Sequence, residues 1–137
     1  MDNKFRLQII APNGIYLDKE IDSLTCVTEE GEIEVLPHHS EYLANLEISI
    51  IYIKNDNTKV GYAIGGGAIH FNGAQNLCKL IVATIYKEED IDLSKIKKQK
   101  ETLEKKLNTN LSTVEHKNVE RELRKAINNI KFKESSK

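Results

Sequence analysis

Residues 77–93 read Leu77-Cys78-Lys79-Leu80-Ile81-Val82-Ala83-Thr84-Ile85-Tyr86-Lys87-Glu88-Glu89-Asp90-Ile91-Asp92-Leu93, and the period of the pattern changes inside that stretch. Before Lys87, Leu77, Lys79 and Ile81 fall on one face of an extended chain and Cys78, Leu80 and Val82 on the other. After it, Glu88, Glu89, Asp90 and Asp92 supply the negative first turn that a helix N-terminus favours. Ile91 to Leu107 then contains no Gly or Pro and almost only good helix formers. The switch predicts a strand-built domain over residues 1–87 and a helical one over residues 88–137.

Working back from Lys87, apolar residues recur mainly at period two, as in Phe5, Leu7 and Ile9, or Leu46, Ile48, Ile50 and Tyr52. Turn signals separate these runs at Pro12-Asn13-Gly14, Glu30-Gly31, Asn55-Asp56-Asn57 and Asn72-Gly73. Short strands punctuated this densely argue for a β-sandwich or barrel. Working forward, Asn108-Thr109-Asn110 breaks the first helix, and Ser112 with Glu115 has capping-box spacing for a second. That helix carries Val119, Leu123, Ala126, Ile127 and Ile130 as one apolar stripe, whereas the first has a thinner one through Ile96, Leu103 and Leu107. Two such helices joined by a short polar loop form an antiparallel hairpin. A hairpin that buries only its inner seam docks weakly and is suited to be a movable tail.

The chain has 137 residues, enough for one small domain and an appendage, with 39% hydrophobic and 30% charged residues, near globular averages. Its net charge of −1 does not recommend nucleic acid as a partner. The distribution is uneven: residues 1–87 carry 7 Lys/Arg against 11 Asp/Glu, and from Leu93 onward the balance is 13 against 6. A cationic tail on an acidic body points to an acidic partner for the tail. Cys26 and Cys78 lie in alternating apolar stretches without ligand spacing, so they read as buried thiols. Neither a signal peptide nor an apolar run of about 18 to 20 residues is expected from this composition, which implies a soluble intracellular protein.

Few motifs carry chemistry. His38-His39 beside Glu41 is the only cluster suggestive of metal or acid–base work, and adjacent side chains on an extended segment diverge rather than converge on an ion. A loop contact with a partner is the better reading. Gly65-Gly66-Gly67 lacks the Lys and the helix of a phosphate loop and runs into Ala68-Ile69-His70-Phe71, so it reads as a bulge or a close backbone approach. The residues alone describe an interaction protein better than an enzyme.

The segment Glu30-Gly31-Glu32-Ile33-Glu34-Val35-Leu36-Pro37-His38-His39-Ser40-Glu41-Tyr42-Leu43 closely resembles the epsilon-subunit signature of bacterial F-type ATP synthases, Gly-Glu-Ile/Leu-Gly-Val/Ile-Leu-Pro-Gly-His-x-Pro-Leu-Leu. The likeness continues through Ala44 to Ile48, Gly66-Gly67 and the acidic junction Glu89-Asp90-Ile91-Asp92, and so spans essentially the whole chain. Glycines usual in that signature are Glu34 and His38 here, and the usual proline is Glu41.

The resemblance implies a non-catalytic central-stalk subunit with a flattened sandwich of about ten strands, bound to the gamma subunit and the c-ring. By position, Glu32, Pro37 and His39 match the loop that touches the ring. It also implies a hairpin that extends to the alpha and beta subunits and restrains ATP hydrolysis; here Lys117, Arg121, Arg124, Lys125 and Lys131 would meet the catalytic head. Some relatives bind ATP at the first helix. Ile91 and Asp92 keep that motif, but Lys95 and Ile96 replace its arginine and alanine, and the later aligned basic places hold Thr102, Lys125 and Asn129. Lysine lacks the bidentate guanidinium fork, so ATP binding is expected to be weak or absent, with no other cofactor or metal. The implied location is peripheral, on the cytoplasmic face of the inner membrane, held only through the complex. The alternative from another class is a free-standing β-sandwich ligand-binding module with a helical oligomerisation tail.

Overall fold

The computed structural model describes residues 3–135, and the chain divides into two compact units, residues 1–86 and 87–137. The first unit holds eight strands: β1 Phe5–Ala11, β2 Gly14–Ile21, β3 Ser23–Thr28, β4 Gly31–Val35, β5 Tyr42–Asn55, β6 Thr58–Asn72, β7 Leu77–Val82 and β8 Ile85–Lys87. They join in the order β2-β1-β7-β6-β5-β3-β4, with β8 paired to β6. Pairing is antiparallel except for the parallel β1–β7 contact. Phe5, Leu7 and Ile9 of β1 and Cys78, Leu80 and Val82 of β7 are buried in one core with Leu24, Ile51, Ile64, Ile69 and Phe71, so the sheet folds over itself as a sandwich.

The long β5–β6 hairpin makes that folding possible. On the Tyr42 side of the crease β5 buries Leu46, opposite a β6 half that buries Ile69 and Phe71. Beyond it β5 buries Ile51 and Ile53, while β6 buries Tyr62 and Ile64. Both strands thus exchange their inward face where Glu47 lies across from Gly66. This corrects the even-numbered stripe read from Leu46 to Tyr52: Ile48, Ile50 and Tyr52 are only half-buried. The crease also explains the count of eight strands against about ten expected, because β5 and β6 each serve both layers.

Glycine is required at the crease for two distinct reasons. Gly66 has φ +86, a left-handed value that a Cβ disfavours. At Gly67 a Cβ would lie 2.0 Å from the Ile81 carbonyl oxygen, inside backbone that cannot move aside. The triplet is therefore a close backbone approach, as its sequence context suggested.

The second unit contains a 3-10 turn at Glu88–Asp90, then α1 Leu93–Leu107 and α2 Thr113–Ser135. Asp92 caps α1, its carboxylate accepting the Lys95 N–H at 3.2 Å. The capping box opens α2: the Ser112 hydroxyl oxygen accepts the Glu115 N–H at 3.2 Å, and the Glu115 carboxylate accepts the Ser112 N–H at 3.4 Å. The helices run antiparallel, with Lys97 near the start of α1 paired to Glu134 near the end of α2 at 3.3 Å. Val119, Ala126 and Ile130 of the expected stripe are buried, and Leu123 and Ile127 half-buried; Asn129 and Phe132 are buried as well. Helix α1 buries no residue fully.

Gly67→Ala should cost more than about 4 kcal/mol, the range reserved for backbone clashes and comparable faults. At Gly31, where nothing lies within 4 Å, the same change should cost only about 1 kcal/mol for its left-handed φ of +116. Urea unfolding of the two variants checks the difference.

Candidate functional site: the loop between β4 and β5 and the basic face of α2

β4 ends one side of the sheet order, which leaves it an edge strand with Glu32 and Glu34 exposed along it. From its last residue, Val35, the chain runs through Leu36-Pro37-His38-His39-Ser40-Glu41 into β5. Leu36 is half exposed, Pro37 half-buried and His38 exposed. His38 takes φ +63, so a left-handed residue stands where the resembling signature has glycine. His39 is half-buried, its ring centroid 5.7 Å from Tyr42 and 5.4 Å from Phe71. Its Nδ1 lies 2.7 Å from the Ser40 carbonyl oxygen, which only accepts, so Nδ1 carries the proton and Nε2 is the ring's remaining polar atom. Glu32, Pro37 and His39 therefore occupy one edge strand and the loop that follows it.

Two side chains the sequence reading did not place in the site hold this loop. The Asn76 amide oxygen accepts the His38 N–H at 2.7 Å, and its NH₂ donates to the Lys4 carbonyl at 2.9 Å. Glu41 pairs with His70 Nε2 at 2.7 Å and accepts the Gly73 N–H at 3.0 Å. His70 first, and the Gly73 amide second, hold the Glu41 carboxyl below its ordinary 4.5. No local signal could have shown these contacts, since the partners stand 38 and 29 residues apart.

The outer face of the sheet carries an apolar row. Ile10 of β1 pairs with Ile15 of β2 on one side and Ile81 of β7 on the other. Ile15 is 64% and Ile81 58% exposed, and Leu43, in the row beside them, is 75% exposed. Ile15, Ile10 and Ile81 thus form one apolar row, and His70 and Lys79 stand between it and Leu43.

On α2, Lys117, Arg121, Arg124 and Lys131 are exposed and fall within an arc of about 80°, at 100° per residue, opposite Val119, Leu123, Ala126 and Ile130. Lys125 differs: it is half-buried and paired along its own helix with Glu122 at 3.4 Å. Among the residues of the degenerate ATP motif, Ile91 is buried, the Asp92 carboxylate caps α1, and Lys95 is exposed. Cys26 and Cys78 are free and buried, and burial pushes both thiols up to about 12, so neither is a nucleophile near neutral pH. Among the described residues no helix is long and apolar enough to cross a membrane.

The family model for the ATP synthase, Delta/Epsilon chain, beta-sandwich domain matches residues 4–88. The ATP synthase epsilon chain of Mycoplasmopsis synoviae is 34% identical over 93% of this chain and 93% of its own length. This chain belongs to the ATP synthase epsilon chain family. The epsilon chain of Mycoplasma mobile is 33% identical over 98% of this chain and 96% of its own. The fold matches a chain in the Euglena gracilis mitochondrial ATP synthase assembly of OSCP, F1 and c-ring, with a TM-score of 0.78 at 22% identity, over 93% of this chain and 80% of that one. As an epsilon chain the protein is a non-catalytic subunit of ATP synthase. The likeness to epsilon chains runs through strands and helices together, which removes the reason for treating it as a free-standing ligand-binding module.

Because its carboxyl is lowered in the folded chain, Glu41 contributes its tether fully above the ordinary carboxylate range and loses it as pH falls through the lowered midpoint. An NMR titration should place Glu41 below 4.5 and show the His38–Glu41 resonances shifting with it. A midpoint at or above 4.5 contradicts the tether.

Proposed function

We propose that this chain is a rotor subunit of the central stalk, coupling c-ring rotation to the gamma subunit and the catalytic head during ATP synthesis. The observation that carries the reading is that the epsilon-chain match extends through both units, covering 93% to 98% of the chain, so body and tail are both those of the family. The finer roles rest on the geometry. The edge strand β4 and the loop after it present Glu32, Pro37 and His39 to the polar turns of the ring, a carboxylate, a stiff ring and an imidazole suited to gripping polar loops. The apolar row of Ile10, Ile15 and Ile81 fits the gamma subunit, since a permanent partner favours an apolar interface.

The hairpin acts as a brake on hydrolysis. In an extended state, Lys117, Arg121, Arg124 and Lys131 present a cationic stripe to acidic segments of the alpha and beta subunits, with Lys125 beside it. ATP binds weakly or not at all, because Asp92 is committed to its cap and Lys95 offers a point charge without a guanidinium fork. The chain sits at the cytoplasmic face of the inner membrane through its complex.

Ending the chain at Lys87 should raise ATP hydrolysis by the assembled enzyme severalfold while the shortened chain stays bound. Unchanged hydrolysis with binding intact would leave the hairpin without a braking role. Reversing Arg121 and Arg124 to Glu should give most of the same rise without altering helix content, and activity equal to the parent would remove the charge-docking account.

A further inference from the structure

The loop Leu36–Glu41 is tethered to two separate parts of the sheet. On one side stands Asn76, in the turn before β7. Its side chain bridges the His38 N–H at 2.7 Å and the Lys4 carbonyl at 2.9 Å, and its own carbonyl accepts the Arg6 N–H at 3.2 Å. Asn76 holds φ +51, which asparagine tolerates better than most residues, so the turn delivers the amide to the loop. On the other side Glu41 reaches His70 on β6 and the backbone of Gly73. Between the two anchors lie His38, with its own left-handed φ of +63, and His39, packed against Tyr42 and Phe71.

We propose that Asn76 and Glu41 are positioning residues that pre-order the Pro37–His39 loop for its partner, without themselves touching it. The proposal rests on the reading of that loop as the ring contact. An exposed six-residue connection left to itself samples many conformers, and docking must then suppress them. Exposed ion pairs and surface hydrogen bonds add little to the stability of a whole domain. They can still narrow one loop's ensemble, so their effect belongs in binding rather than in melting. Glu41 is well suited to the task because its two oxygens fix two different elements, the strand end at His70 and the turn at Gly73.

Three measurements on the full-length chain test this, using Glu41→Ala, Asn76→Gly, which removes the side chain while tolerating the left-handed φ of +51, and Glu41→Gln. They are the melting temperature, amide exchange across residues 36–41, and the concentration of added chain that half-restores ATP-driven ion pumping to vesicles carrying the complex depleted of it. Glu41→Ala and Asn76→Gly should both melt within about 2 °C of the parent. They should exchange faster in the loop and require about five- to tenfold more chain. Glu41→Gln keeps an acceptor for Gly73 but loses the carboxylate charge that pairs with His70, and should fall between the parent and Glu41→Ala.

Unchanged exchange, or a large fall in melting temperature, would overturn the positioning role. So would faster exchange with an unchanged half-restoring concentration, provided that Pro37→Ala and Glu32→Ala do raise it. If those two contact variants also have no effect, the ring-contact reading itself fails and the positioning role falls with it.

Discussion

The first unit depends on one close backbone approach. At Gly67 the chain passes so near the Ile81 carbonyl that no side chain fits, and at Gly66 it takes a left-handed turn that releases β6 from its first layer. β5 follows because it is hydrogen-bonded to β6 along nearly its whole length, from Tyr42–Phe71 to Asn55–Thr58. A single long hairpin thereby supplies strands to both layers. The core between them, from Phe5 to Val82, is closed by that crease rather than by separate strands meeting. Rigidity in the body is what lets a surface loop be held in one place.

That loop shows how a sequence departure is absorbed. His38 and Glu41 stand where the family signature has glycine and proline, the residues with the most special backbones. His38 still adopts the left-handed conformation, held by Asn76, and Glu41 replaces the stiffness of a proline ring with two hydrogen bonds. Side-chain hydrogen bonds here supply constraint that glycine and proline would place in the backbone.

What could be read from the residues was whatever depends on near neighbours. The change of period at Lys87, the Ser112–Glu115 capping box and the α2 stripe are set within one or two turns of chain, and each stands in the structure as read. The glycine triplet announced a close approach, but its partner Ile81 lies across a strand pair and left no local mark. For the same reason the Leu46–Tyr52 stripe was misjudged: its change of face is imposed from Gly66 on the opposite strand. Asn76 and Glu41 were invisible as tethers because their partners are brought together only by the finished sheet.

The body and the tail are built on different terms. The sandwich buries a continuous core, whereas α1 buries no side chain fully and α2 turns a basic stripe outward. The proposed rotor role asks for a body that stays bound while the helices change position. Cryo-electron microscopy of the ATP synthase assembled with this chain tests that most directly. The account predicts residues 37–39 against the polar turns of the c-ring in every particle class, with the helices differing between classes. A sandwich bound with that loop turned to solvent, or helices fixed identically in active and inhibited enzyme, would contradict it.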